Sequence, residues 1–478
     1  MTISGRLAEL VVGTEPAALP EATRTATSMH TLDTLGCALA ALGLDAVPYV
    51  RASYAERGVS GPASVVGQAG GLPADMAAMV NGALAHALDY DDTHAGSIVH
   101  VSAATVPAAL AMGEHTGRSG AEVLTAIALG NEVSVRLGRP AGAALHARGF
   151  HPTGVCGVFG ATATAARLAG ADAEQTRNAF GIAGSMAGGL MEFLADGSET
   201  KPFHPGWAAH AAINAVWFAL HGATGPATVV EGDRGFFGAY LRGEEPDLSS
   251  VTDGLGERWL TDEIAFKPYP ACHYVHAPLD ALSAILDEEH LGAGDIAEIT
   301  AFTDETGVIL VLEPAADKAA PRTAYDAKFS IPYAFGARVA HGAVGVETFT
   351  DQAIGDPDVL AVAAKVRYEL RRYSDTGGSF GGGVRVVTTD GRVFENELRH
   401  QRGGAENPLT DADVAAKFTS NAAVALPSDE VARLAAFVLG MSDAPDLGPL
   451  AVLRAATVKG GGGLSSRGGG PPRPGPGR

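Results

Sequence analysis

Between Leu84 and His100 the chain reads LAHALDYDDTHAGSIVH, which gathers the carboxylates of Asp89, Asp91 and Asp92, three imidazoles and the hydroxyl of Thr93 directly after an apolar helical pattern. Carboxylates beside imidazoles can orient one another and exchange protons, so general acid and base chemistry is to be sought here. Asp89 and Thr93 are four residues apart and share a face if the preceding helix continues, which turns Asp91 and Asp92 elsewhere. The same residues also suit a plain helix end, with Asp92 or Thr93 capping whatever follows.

Three other segments carry polar residues that composition does not explain. RGFHPTGVCGVFGA places His151 beside Pro152, ahead of a helix of small residues. MEFLADGSETKPFHPGWAAH sets Lys201 and His204 in a Gly/Pro-bounded loop before a helix with Trp207 and His210. FKPYPACHYVH brings Lys267, Tyr269, His273 and His276 to the junction between two predicted domains, where ligands preferentially bind. Lysine is rarely buried unpaired, so a lysine between apolar helices is either solvated or a ligand cation.

Several function classes fit poorly. There is no HExxH or CxxC, and His273 with His276 lacks a defined third partner, so no metal is expected. Cys37, Cys156 and Cys272 lie far apart, which argues against a disulfide framework or an iron–sulfur cluster and for a reducing compartment. The GxSxG match at Gly377 to Gly381 leads into a β-prone run instead of linking a strand to a helix, so no nucleophile elbow is expected. The Gly377 to Gly383 run precedes a strand instead of linking a strand to a helix, so it reads as a loop and not as a phosphate cradle. With 54 acidic against 34 basic side chains the net charge is −20, which repels nucleic acid and anionic membranes. No targeting segment or membrane-length apolar run is apparent, so a cytoplasmic protein is expected.

The elements that must position these groups are mostly helical through residue 260. Leu32, Leu35, Leu39 and Leu42 recur at helical spacing, and Pro73 opens a helix striped by Met76, Met79, Val80, Leu84 and Leu88. Ser119 with Glu122, Asp172 with Gln175, and Thr410 with Asp413 read as capping boxes. Ile296 to Thr303 and Gly307 to Leu312 are β-prone, Val384 to Thr389 and Arg392 to Leu398 flank the Asp390-Gly391 hairpin turn, and helices are predicted over His276 to Glu289 and Pro357 to Leu370. The fold class is mainly α with a smaller α+β domain: residues 1–264 and 403–456 form the helical domain, 265–402 the α+β domain, and 457–478 a disordered Gly/Pro-rich tail.

DYDDTH with His100, RGFHPTG, TKPFHPGWAAH, FKPYPACH and KFSIPYA stand in the order and spacing of the MmgE/PrpD family, which the chain resembles from about residue 5 to 455. The resemblance implies a helical domain made from both chain ends, an inserted α+β lid, a homodimer, and no metal or other cofactor. Its members include 2-methylcitrate dehydratases, cis-aconitate decarboxylases and iminodisuccinate epimerases. The implied activity is a dehydratase or decarboxylase type of lyase acting on a small anionic di- or tricarboxylic acid; an epimerase and a non-catalytic metabolite binder are the alternatives. Carried over by position, His100, His151 and Lys201 are catalytic, and Asp89, Thr93, Lys267, His273 and Tyr333 bind substrate. In that scheme the two histidines exchange protons with the substrate and the lysines hold its carboxylates. Asp89 orients a histidine or accepts from a substrate hydroxyl, and Tyr333 donates a hydrogen bond. Pro202 stands after Lys201 where related sequences frequently have Arg, which removes a potential carboxylate clamp.

Overall fold

Alanine and glycine on facing helix surfaces let backbones approach closely, and this governs the main packing in the computed structural model, which describes residues 1–373 and 380–458. Helices Ala74–His86 and Phe203–Leu220 cross where Gly82 meets Gly206. A Cβ on Gly82 would lie 2.7 Å from the Gly206 Cα, so no larger residue fits. Helix Pro152–Ala169 packs between Gly120–Gly138 and Phe203–Leu220 and is buried along nearly all its length. The capping boxes at Ser119, Asp172 and Thr410 form as their spacing predicts.

Among the described residues two large apolar cores result, beside a small cluster of Leu19, Ala128, Leu129 and Trp259. The larger is built from residues between Leu7 and Ile264 together with Phe418 to Ala456, so the C-terminal helices Asp411–Ala422 and Ser428–Leu439 return to the N-terminal ones. The smaller unites Ala271 to Val386 with Phe193, which reaches in from the helical part. Its sheet has strand order β4-β3-β5-β6, formed by β3 (Ile296–Thr303), β4 (Val366–Leu370), β5 (Gly382–Thr388) and β6 (Val393–Leu398). The strands β3 and β4 run parallel with Ile299 opposite Val366, while β5 and β6 form the expected hairpin, with Val386 opposite Phe394. Helix His276–Glu289 covers β5 and β6. A separate ribbon, β1 (Ala63–Val65) and β2 (Gln68–Leu72), lies in the helical part, and among the described residues no single helix is long and apolar enough to cross a membrane.

The structure departs from the sequence reading in four places. Gly307 to Leu312 is not a strand: Asp304 accepts from the Gly307 amide at 2.9 Å and starts helix Glu305–Val311. The helix expected over Pro357 to Leu370 stops at Ala363, because the VRYEL run that follows pairs with β3 as an edge strand. The helix before the acidic stretch ends at His86 and does not reach Thr93. Thr457 and Val458, expected to begin the tail, join the fold: Thr457 donates to the Ala425 carbonyl at 3.0 Å and Val458 packs on the larger core, while the rest of the expected tail, from residue 459, lies outside the described residues. The Gly377 to Gly383 run also lies outside the described residues up to 379; its last two glycines open β5.

One buried polar contact ties the C-terminal return to the acidic stretch. The Lys417 ammonium sits 2.7 Å from Asp33 Oδ1, donates to the Tyr90 carbonyl at 2.8 Å and lies 3.8 Å above the Tyr90 ring. Asp33 is fully buried, which raises its pKa, and that ammonium is the main offset, with a smaller one from His30. Lys417→Met should therefore lower stability by about 3–5 kcal/mol, more than Lys417→Met combined with Asp33→Asn. Chemical denaturation of the two variants checks this; equal losses would contradict it.

Candidate active site

The turn after helix Ala74–His86 decides where the carboxylates go. Asp89 takes a left-handed backbone conformation (φ 53°), which Asp tolerates better than bulkier residues. Thr93 and Ala265 exchange both backbone hydrogen bonds at 2.9 Å, which brings the start of FKPYPACH alongside. Lys267 then donates to Asp89 Oδ1 at 2.7 Å and to the Asp89 carbonyl at 2.9 Å. The Lys201 ammonium reaches the same Oδ1 at 3.0 Å and stands 5.1 Å over the Phe329 ring. Burial alone would raise the Asp89 pKa, but Lys201 and Lys267 together hold it well below the ordinary carboxylate value.

Asp91 works from behind. Its Oδ2 lies 2.7 Å from His86 Nδ1 and 3.3 Å from His100 Nδ1, and all three groups are buried. An ionised carboxylate only accepts, so the Nδ1 proton of His100 points at Asp91 and Nε2 is left on the other side, 3.7 Å from Asp89 Oδ1. Thr93 Oγ1 sits 3.3 Å from the same Nδ1, and Thr153 Oγ1 accepts from the His100 amide at 3.0 Å. Burial pushes the His100 pKa down to about 4 despite Asp91, so the imidazole is neutral at neutral pH. Asp92 turns away: it accepts from the Ser102 amide at 3.0 Å at the start of helix Ser102–Thr116, the capping role that a plain helix junction predicts.

His151 precedes Pro152 at the start of the central helix, and its ring faces those of His86, His100, His146 and His204. Its Nδ1 lies 2.9 Å from His204 Nδ1. Gly189, at φ 137°, presses its backbone here: its carbonyl accepts from the His151 amide at 3.0 Å, and a Cβ would stand 3.2 Å from the His204 ring. Burial, His204 and Lys201 hold the His151 pKa well below its ordinary value.

These groups line one cavity. Asp89, Thr93, His100, His151, Lys201, Lys267 and His273 all face it, closed in by Met191, Phe193, Phe329 and Phe380. It encloses about 40 Å³, room for a water or two. His273 stacks on Phe380 at 4.5 Å, and neither of its ring nitrogens has a hydrogen-bond partner among the described residues. On the far side of Phe193 and His204 lies a wider vestibule of about 670 Å³, lined also by Met79, Leu190, Phe203 and Trp207.

Seven of the eight residues singled out from sequence thus meet at one place. Tyr333 does not: helix Ile331–His341 turns it into the smaller core, where its hydroxyl donates to the Thr348 carbonyl at 2.8 Å and its ring meets Phe349. Asp89 does not orient a histidine either; Asp91 does, while Asp89 holds the lysines. Sequence reasoning also passed over His86, His146 and the partner role of His204, although His204 stands three residues after Lys201. It also missed Lys328, whose pKa burial lowers to about 7 against the pull of Asp89. Ring nitrogens of His86, His100 and His151 lie within 4.8 Å of one another, as do ligand atoms of Asp89, Asp91 and His100. Either set could accept a cation, but the ammonium groups of Lys201 and Lys267 already occupy Asp89 and oppose a second positive charge. Cations for anionic groups and neutral imidazoles with fixed tautomers are instead the equipment for proton transfer at an acidic carbon.

Two family models match the chain. The MmgE/PrpD N-terminal domain matches residues 5–249 and the MmgE/PrpD C-terminal domain matches residues 269–443. A cis-aconitate decarboxylase of Homo sapiens is 31% identical over 393 residues, covering 80% of this chain and 79% of the relative. A cis-aconitate decarboxylase-like protein, oryM, of Aspergillus oryzae is 26% identical, covering 82% of this chain and 85% of the relative. The cis-aconitate decarboxylase of Aspergillus terreus is 26% identical, covering 84% and 85%.

The buried imidazoles give a signed pH dependence of stability. His100, His146 and His204 have pKa values lowered by burial from 6.5 to about 4, so below 6.5 the unfolded chain binds protons that the folded one refuses. Stability should be highest above pH 6.5 and fall steadily toward pH 4. Thermal unfolding across that range reads it; a melting temperature that stays level would contradict the buried, neutral assignment.

Proposed function

The chain belongs to the MmgE/PrpD family, and on that premise we propose that it is a cofactor-independent lyase that moves a proton at a carbon beside a carboxylate of a small di- or tricarboxylic acid. The observation that carries this reading is the pair of ammonium groups within 3.0 Å of one Asp89 oxygen, in the same cavity as an imidazole whose tautomer Asp91 fixes. Decarboxylation is the form favoured, since curated relatives across most of the chain bear that name. Residues 265–402 act as the lid over the site.

In this scheme Lys201 and Lys267 receive the substrate's carboxylates. A lysine ~4 Å from a carboxylate contributes ~4 kcal/mol at an effective dielectric near 20, and Asp89 keeps both ammonium groups in place before substrate arrives, so little reorganisation is needed. The bond to the departing carboxylate breaks, carbon dioxide leaves, and the electron pair remains on a carbon whose neighbouring carboxylate the lysines hold. An imidazole then supplies the proton. The substrate's own negative charges raise the proton affinity of His100 and His151, which burial keeps low in the free protein. His273, unpartnered and facing the cavity, hydrogen-bonds a substrate oxygen.

Lys201→Ala and His151→Ala should each lower turnover by about 10² to 10⁴ while the fold, read by circular dichroism, is retained. Near-native rates in both would refute the assignment. A panel of di- and tricarboxylic acids followed by NMR in deuterated water identifies the reaction through loss of carbon dioxide. Deuterium entering the substrate with no loss of carbon dioxide or water would replace the lyase by an epimerase.

A further inference from the structure

Decarboxylation consumes a proton. Carbon dioxide leaves with one oxygen pair intact, the carbon keeps the bonding electrons, and the proton it then takes up must come from solvent in every turnover. Elimination of water and epimerisation return the protons they remove. A narrow cavity of about 40 Å³, walled by Phe193, Phe329 and Phe380, holds a water or two at most, so a bound substrate leaves little solvent beside it and a proton path through the protein gains importance.

One imidazole pair spans the wall. His151 lines the inner cavity and is 2% exposed, whereas His204 lines the vestibule of about 670 Å³ and is only partly buried. Their Nδ1 atoms are 2.9 Å apart, so one ring donates N–H and the other accepts, and a single proton lies between them. Gly189 stands against the His204 ring, where a Cβ would lie 3.2 Å from it, so the pair is set by a position that excludes a larger side chain.

Resting on the lyase reading, we propose that His204 relays protons from vestibule water to His151. His151 gives its Nε2 proton to the carbon, its Nδ1 takes the proton that His204 Nδ1 held, and His204 Nε2 takes one from water, leaving hydroxide, which balances the carbon dioxide released. Proton exchange with water as product leaves, one proton gained at His151 Nε2 and one lost from His204 Nε2 while the shared proton returns to His204 Nδ1, restores the starting tautomers. Imidazoles are suited to this because each ring accepts at one nitrogen while donating from the other. Both rings are neutral at rest, since burial lowers the His204 pKa to about 4 and holds that of His151 well below its ordinary value.

The test uses His204→Ala in the full chain, which leaves a ring-sized space, with the acid that the unmodified protein decarboxylates. Its kcat should fall about 10²-fold with KM within about twofold, and imidazole added to the buffer should restore part of the rate in proportion to its concentration. Lys201→Ala should show no such rescue. A loss identical at every imidazole concentration, or no loss, overturns the relay. In protein labelled with ¹⁵N histidine, the proton shared by His151 and His204 should give a downfield resonance on Nδ1 that His204→Ala abolishes; its absence from the unmodified protein also overturns the relay. Failure of every acid to lose carbon dioxide sinks the lyase reading instead, and the resonance then still reports on the pair.

Discussion

A carboxylate withdrawn from water persists as an anion only where opposite charge replaces the solvent, and Asp89 is the point where this protein meets that condition. It is 1% exposed, and its compensation comes from Lys201 and Lys267, which are distant in sequence and equally buried. Three chain segments are thereby forced to one spot: the turn after helix Ala74–His86, the loop before helix Phe203–Leu220, and the strap running into the smaller core. None of the three charges is stable there alone. What makes the arrangement fold is also what makes it receptive, because two ammonium groups share a single carboxylate oxygen and one positive charge remains to be balanced.

The histidines follow from the same dryness. Burial keeps His100 and His151 neutral, and neutral imidazoles have two distinct nitrogens, so what each ring can do depends on its neighbour. Asp91 decides this for His86 and His100; His204 decides it for His151. The two carboxylates two residues apart therefore have opposite duties, one turned toward the cavity to hold cations and the other turned back to hold imidazoles.

Much of this was legible from residue types. Helices announced by capping boxes and apolar stripes form where their spacing places them, and the Asp390-Gly391 turn makes its hairpin. Polar residues stranded among small apolar ones pointed to the cavity, because nothing in a plain helical core would call for Lys201 or Lys267. What failed were decisions made by tertiary neighbours. VRYEL became a strand because β3 offered it an edge, and Gly307 to Leu312 a helix because Asp304 caps it. Tyr333 was drawn in by resemblance, yet the face of its helix is set by packing against the smaller core, which local sequence does not reveal. The division of labour between Asp89 and Asp91 rests on one left-handed residue that no spacing rule anticipates.

The Lys417 contact orders events during synthesis. Residues 271 to 386 carry the core of the smaller unit and leave the ribosome before helix Asp411–Ala422 does. The acidic turn, made hundreds of residues earlier, waits for the ammonium that holds the Tyr90 carbonyl and neutralises Asp33. A nascent chain thus lacks that ammonium until Lys417 has emerged, and during that interval its acids must remain hydrated or chaperoned.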